Sequence, residues 1–178
     1  WHHGLLRLWL TAFGYGEFQG RLLSAILGTL AIPATYLFAR SFAGPRGSLF
    51  AALAAALSYY LIFYAQELVG YANWYLFACL SYWLFFAFCR KPALSSGAAY
   101  TLVTLIALHI HLYGAFMIAA QFATGLYLGL ARGGLAGGFL MALRLIVPGL
   151  VFLLSLAPMA DMIGRAAERG SFIKAAPG

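Results

Sequence analysis

Five stretches of the chain run without a single charge: 22–39, 47–66, 68–89, 92–131 and 145–160. About 20 apolar residues cross a hydrocarbon core of about 30 Å, so four of these stretches each predict one transmembrane helix. The stretch 92–131 is too long for one helix and must fold back on itself. Its predicted break is His109-Ile110-His111-Leu112-Tyr113-Gly114, where imidazole rings, a phenol and a glycine interrupt the apolar pattern. Six crossings result. Ahead of them, 5–13 is too short to span, and its Trp9 and Phe13 stand four apart near Arg7, which predicts a helix lying along the membrane surface. The expected fold is an all-α polytopic bundle. It has an interfacial segment at 1–16, transmembrane helices over 17–160, and the start of an extracytoplasmic loop at 161–178.

Composition excludes the alternative of a water-soluble domain. Of the 178 residues, 64% are hydrophobic and 8% charged, against about 25% charged in an ordinary soluble domain. Fifteen charges cannot cover a core of this size. The net charge of +7 does not point to nucleic acid, because the basic residues lie singly or in pairs between apolar runs and not in clusters interleaved with aromatics. Cys79 and Cys89 lie in one apolar run without metal-ligand spacing and read as packing residues. No signal peptide can be read ahead of the first apolar stretch, and the chain starts at Trp1 inside an apolar segment, as expected of a fragment.

Charge does settle which side the loops should face. Segments 40–46, 90–91 and 132–144 fall on one side of a six-crossing bundle and carry six basic residues and no acid. Short basic loops stay cytoplasmic, which predicts the orientation of a multi-pass protein; the membrane expected for it is a bacterial or archaeal plasma membrane. All four carboxylates, Glu17, Glu67, Asp161 and Glu168, belong to the other set. Any site is therefore expected on the extracytoplasmic face.

Glu67 is the foremost candidate there, because a carboxylate so close to hydrocarbon is costly unless it meets water, a cation or a donor. Gln66, Tyr64 and Tyr71 beside it make a hydroxyl-lined rim suited to sugars and phosphates. His111 and its neighbour Tyr113 stand at the turn in the fourth run. An imidazole there can donate to a phosphate oxygen, or join Glu67 in holding a divalent metal, although the i, i+2 spacing of His109 and His111 lets at most one ring enter a site. Arg21 can fork onto a phosphate with two parallel hydrogen bonds, or snorkel to headgroups. Pro33, Pro148 and Pro158 predict kinks that open room between helices. The glycines at 133–134 and 137–138 lack the lysine of a nucleotide-binding loop.

The order Glu17-Phe18-x-x-Arg21-Leu22-Leu23-Ser24-Ala25, Pro33, Tyr36-Leu37, Ala39-Arg40-x-Phe42-x-Gly44, Ala51-Ala52-Leu53, Leu57-Ser58 and Tyr64-x-Gln66-Glu67-x-x-x-Tyr71-Ala72 resembles the C-type membrane glycosyltransferases. The branch it is similar to holds the dolichyl-phosphate-mannose protein mannosyltransferases and the lipid A aminoarabinose transferase. His111-Leu112-Tyr113-Gly114 with Gln121 looks like that branch's later helix turn. The resemblance implies transfer of a sugar from a polyprenyl-phosphate donor to a hydroxyl of a lipid, glycan or protein, with inversion and without nucleotide. It also implies that membrane lipids and the donor are the partners.

Two departures stand out. The family's arginine two residues after its Gln-Glu pair is Val69 here. Its catalytic aspartate lies in a loop upstream of Trp1, so the resemblance implies a stretch that lacks the catalytic base and is inactive alone. A different class, a secondary transporter or flippase with Glu67 and His111 as an ion or proton site, fits a polytopic chain too. That class favours internal repeats and midplane polar residues, and neither is evident in the sequence. A non-catalytic assembly partner is the third class.

Overall fold

The computed structural model describes the backbone of residues 2–67, 70–111 and 113–174, and the side chains of these apart from 2, 3, 5 and 158–174. Among the described residues the chain is entirely helical and has no strand. The elements are α1 (His2–Phe13), α2 (Glu17–Ala39), α3 (Pro45–Ala56), α4 (Tyr59–Gln66), α5 (Tyr71–Arg90), α6 (Leu94–Ile110) and α7 (Gly114–Lys174).

Local chemistry fixes most of the boundaries. Pro45 opens α3, where its preset φ fits the first helical turn and its missing N–H is not needed. Arg90 closes α5, placing a cation at the negative end of the helix. Ahead of α6, the Ala93 amide donates to Ser96 Oγ at 3.1 Å. The chain then turns between His111 and Gly114, whose amide donates to the His111 carbonyl at 2.9 Å. A β-carbon at Gly114 would lie 2.6 Å from the Leu108 Cα, so the return of the chain against α6 requires glycine. This is where the apolar run 92–131 was expected to break.

Three expectations are corrected. The run 47–66 is not one straight helix: α3 and α4 meet at a 53° bend. Ser58 adopts extended backbone there, and the Leu57 and Ser58 amides close the end of α3 before the Ser58 carbonyl starts α4. The segment 132–144, expected as a loop, is almost wholly helical. Only Gly133 and Gly134 leave the helix, Gly134 with φ +58°, a left-handed conformation that glycine adopts without penalty. The segment from 161, expected as the start of a loop, continues as helix to Lys174. Its alanines, Met162, Arg165 and Glu168 are good helix formers. Residues 175–178 lie outside the described residues.

Across the two-glycine turn the limbs of α7 fold into an antiparallel hairpin. A β-carbon at Gly129 would meet the Gly137 carbonyl oxygen at 2.6 Å and Met141 Cβ at 2.9 Å, while Gly125 faces Leu145 and Gly149 faces Phe122. Small residues let two backbones approach this closely in lipid, where apolar burial gives no drive.

By length and composition, three stretches can cross a membrane, Glu17–Ala39, Tyr71–Arg90 and Gly114–Ala157, and the bent pair α3–α4 makes four. The chain is thus a helical membrane protein with several apolar helices. α6 is apolar but only 17 residues long. α1, at 12 residues, is too short to span. It is tied to α2 by the Trp9 indole N–H donating to the Gln19 carbonyl at 2.8 Å, with Trp9 packed on Phe13.

Two packing units share α5. On one side α2 runs parallel to it: Gly28 faces Ala72, and Thr35 Oγ1 lies 3.0 Å from the Tyr75 hydroxyl. The buried residues there are mostly small, Ala31, Ala34, Leu76 and Cys79. On the other side α6 and α7 pack a larger core of Phe85, Phe88, Tyr100, Met141, Leu145 and Phe152. Inside it the Tyr100 hydroxyl donates to Gln121 Oε1 (2.9 Å), Gln121 Nε2 donates to Ser81 Oγ (2.9 Å), and Ser81 meets Thr104 Oγ1 at 2.6 Å. All four side chains are fully buried.

Contacts also sort the turns into two ends. Arg90 donates to the Ser41 carbonyl at 3.1 Å, which brings the 40–44 and 91–93 turns together. The Gly133–Gly134 turn lies on that end because the first limb of α7 runs antiparallel to α6. This is the basic end. The 67–70 and 111–113 turns lie at the other, which is rich in aromatic rings.

Candidate functional site at the aromatic end

Four of the predicted residues form one continuous ladder. The rings of Tyr64 and Tyr71 lie 4.7 Å apart, Tyr71 and His111 5.5 Å, and His111 and Tyr113 4.4 Å. The end of α4, the start of α5 and the turn after α6 each supply rungs. Tyr71 is 40% and Tyr113 59% exposed, so the ladder opens outward.

The backbone geometry explains why these segments meet. A β-carbon at Gly28 would lie 2.6 Å from that of Ala65 and 4.0 Å from that of Ala72. Glycine on α2 and alanines on α4 and α5 let the three helices converge, which brings the chain around 64–71 over the 111–113 turn. Glu67 sits half-buried at the C-cap of α4 in extended backbone, bracketed by Tyr64 and Tyr71. Gln66 is exposed and lines a cleft of about 220 Å³ between α2 and the α3–α4 bend, whose other walls are apolar or small, among them Ala25, Gly28, Thr29 and Leu61. Val69 and Leu112 lie outside the described residues.

His111 is oriented by the turn itself. The Tyr113 amide donates to His111 Nδ1 at 3.3 Å. With Nδ1 accepting that hydrogen bond, the ring's proton is placed on Nε2, which it can present as a donor. Among the described residues no three His, Cys, Asp or Glu side chains gather at a site that could hold a metal ion. No described hydrogen bond, ion pair or ring contact joins Glu67 to His111; from the ladder His111 can meet an oxyanion or sugar hydroxyl, while Glu67, a carboxylate, can accept from a hydroxyl.

The other candidates divide. His109 turns back on its own helix, with Nδ1 2.9 Å from the Leu105 carbonyl. Arg21 is held by Glu17 one turn earlier at 2.6 Å, both exposed, and no described hydrogen bond or ion pair joins it to the ladder. The pair is of the i, i+4 type that contributes only a few tenths of a kcal/mol. The side chains of His2 and His3 lie outside the described residues.

Trp74 was not singled out from the sequence. Its ring lies 6.3 Å from His111 in edge contact. Its buried indole nitrogen has no hydrogen-bond acceptor, and it lines a groove of about 400 Å³ with Tyr82, Tyr113 and Phe116. A buried donor left unsatisfied costs about 1–3 kcal/mol, which a ligand oxygen would relieve. One signal was available: Trp74 stands one helical turn after Tyr71, on the same face of α5.

The chain matches no protein-family model, no curated protein and no solved structure.

Proposed function

We propose that this chain is part of an integral membrane glycosyltransferase that moves a sugar from a polyprenyl-phosphate donor to a hydroxyl acceptor on the extracytoplasmic side. The observation that carries the reading is the Tyr64–Tyr71–His111–Tyr113 ladder, brought to one end of the bundle, where Gln66 lines a cleft between α2 and α4. In this reading α2, the bent α3–α4 pair, α5, α6 and the two limbs of α7 are six crossings, α1 lies along the interface, and the basic end is cytoplasmic. The family resemblance of the sequence supports the same assignment.

The chemistry then follows from the groups present. A lipid-linked donor enters from the bilayer, so its prenyl chain needs an apolar lateral opening and its phosphate needs donors at the end of that opening. The His111 Nε2–H, the indole N–H of Trp74 and the tyrosine hydroxyls supply donors to the phosphate and the sugar. Glu67 accepts a hydrogen bond from the acceptor hydroxyl and holds its oxygen behind the anomeric carbon. The acceptor oxygen bonds to the anomeric carbon, the bond from that carbon to the phosphate oxygen breaks, and the lipid phosphate leaves with the electron pair. The acceptor proton passes to a base expected upstream of Trp1. The alternative of a secondary transporter or flippase, with Glu67 and His111 as its ion or proton site, has less support: the polar cluster deep in the bundle, Tyr100, Gln121, Ser81 and Thr104, is internally hydrogen-bonded and contains no carboxylate or imidazole.

The test is sugar transfer from a polyprenyl-phosphate donor in proteoliposomes, using the product of the complete gene. Glu67→Gln keeps the side-chain shape and should lower turnover roughly 10²-fold at equal folded protein. Unchanged turnover would remove Glu67 from the site. Val69→Arg, which restores the family pattern, is the companion variant.

A further inference from the structure

The basic end of the bundle holds a second cleft, separate from the aromatic ladder and independent of the transfer reading. It runs between the start of α6 and the second limb of α7, has a volume of about 660 Å³, and is walled by Phe88, Pro92, Leu94, Leu102, Leu105 and Val147 among others. Arg144 is the one charged residue in its lining, beside Pro92 and Ala93 at the mouth. From Leu94 to Leu105 the groove follows α6 for about 16 Å at 1.5 Å per residue, about half of a hydrocarbon core of about 30 Å.

Arg144 is half-buried, while Arg90 and Arg132, at the same end of the bundle, are exposed. Among the described residues Arg144 has no ion-pair partner, since the one ion pair joins Glu17 and Arg21, at the first turns of α2. Arg90 is partly engaged by the Ser41 carbonyl. A half-buried cation at the edge of a bilayer is costly without a counter-charge. A guanidinium fork matches phosphate oxygens in pairs, and basic pockets between membrane helices are where anionic headgroups settle. Gly97 shapes the floor, since a β-carbon there would lie 3.1 Å from the Phe88 ring.

We infer that this groove binds an anionic glycerophospholipid, its phosphate on Arg144 and one acyl chain laid along the 94–105 face of α6. The charge of the mouth and the apolar length behind it select a molecule with both features. Zwitterionic lipid satisfies the groove but brings Arg144 no net counter-charge, and a soluble phosphate ester satisfies the mouth but leaves the groove unfilled.

Native mass spectrometry of the detergent-purified chain, with a thermal-shift assay in parallel, tests this. Phosphatidylglycerol should be retained about tenfold more than phosphatidylcholine of the same chains, and glycerophosphate should give no shift. Arg144→Gln should bring the two lipids to parity. Ala98→Trp, which fills the groove without changing charge, should reduce retention of both, and Arg46→Gln, a basic-end arginine outside the groove lining, should leave the preference intact. Equal retention of the two lipids by the unaltered chain would overturn the proposal. So would equal losses in Arg46→Gln and Arg144→Gln, which would mean diffuse attraction, or displacement of the lipid by glycerophosphate, which would mean a phosphate site alone. Should Arg144→Gln fail to fold, the lipid comparison on the unaltered chain and Ala98→Trp still decide.

Discussion

The two packing units on either side of α5 are built on opposite terms. Toward α6 and α7, large rings interlock around a closed chain of hydrogen bonds, and the two limbs of α7 touch backbone to backbone. Toward α2 and α4, the buried residues are mostly small, joined by the Thr35–Tyr75 contact and by Phe38 against Tyr82 and Phe86; none of the eight residues of α4 is buried, and a cleft remains open. Along the α7 hairpin the first unit has no room for an added methyl, although a groove of about 660 Å³ lies beside it between α6 and the second limb. In the second unit α4, which has no buried residue, is the less firmly held element, and Gln66 lines the cleft beside it. The candidate site is therefore hung on a firm α6–α7 wall through His111 and Tyr113, and on a yielding α4 through Tyr64 and Glu67.

One substitution made in both units shows the contrast most sharply. Gly129→Ala would place a methyl 2.6 Å from the Gly137 carbonyl oxygen, and the backbone it meets cannot rotate away. A loss of about 3 kcal/mol is expected, the upper range for overpacking, read as a fall in the thermal midpoint in detergent. A loss under about 1 kcal/mol would mean that the hairpin is less tight than its contacts. Gln121→Leu comes next. It leaves the Tyr100 hydroxyl and Ser81 without their partner, at about 1–3 kcal/mol, and Gln121→Glu should be worse, since it adds a charge to the same enclosed position. The smallest effect is expected for Gly28→Ala. Its methyl would lie 2.6 Å from the Ala65 β-carbon, 3.5 Å from the Ala65 Cα and 4.0 Å from the Ala72 β-carbon, so α4 must shift; because no residue of α4 is buried, stability should change by less than about 1 kcal/mol while the cleft beside Gln66 narrows. If Gly28→Ala were as damaging as Gly129→Ala, the distinction between firm and yielding units would fail.

The parts of this fold that were legible in the sequence are those where chemistry interrupts an apolar run. Arg40, Arg90 and Arg132 mark helix ends, and the glycine and histidines at 109–114 mark a reversal, because charge and a glycine-only turn cannot be moved along the chain. The bend at Ser58 was not legible: no proline or glycine stands there, and serine is common within membrane helices as well as at their starts. Gly133-Gly134 and Gly137-Gly138 were misread as one long loop. They are a two-residue turn followed by the flat face of a hairpin, and glycine serves both purposes equally well in a sequence. At the site, the tyrosines and His111 were recognisable as polar groups displaced into apolar surroundings. Trp74 was not, since a tryptophan near a membrane edge is ordinary. Nor could the sequence tell which way the His111 proton faces, which depends on the Tyr113 amide two residues on.

The parallel pairing of α2 with α5 has a consequence for how the chain is made. Thr35 and Cys79, which face each other across that pair, are 44 positions apart, so at about 5–20 residues per second α2 emerges several seconds before the helix it packs against. The limbs of α7 have no such wait, since each meets its partner as soon as the two-glycine turn is complete. During synthesis α2 must lie in the membrane with its alanine and glycine face covered by lipid or by a helper protein. The wall formed last, from α6 and α7, closes around a half that has already been waiting.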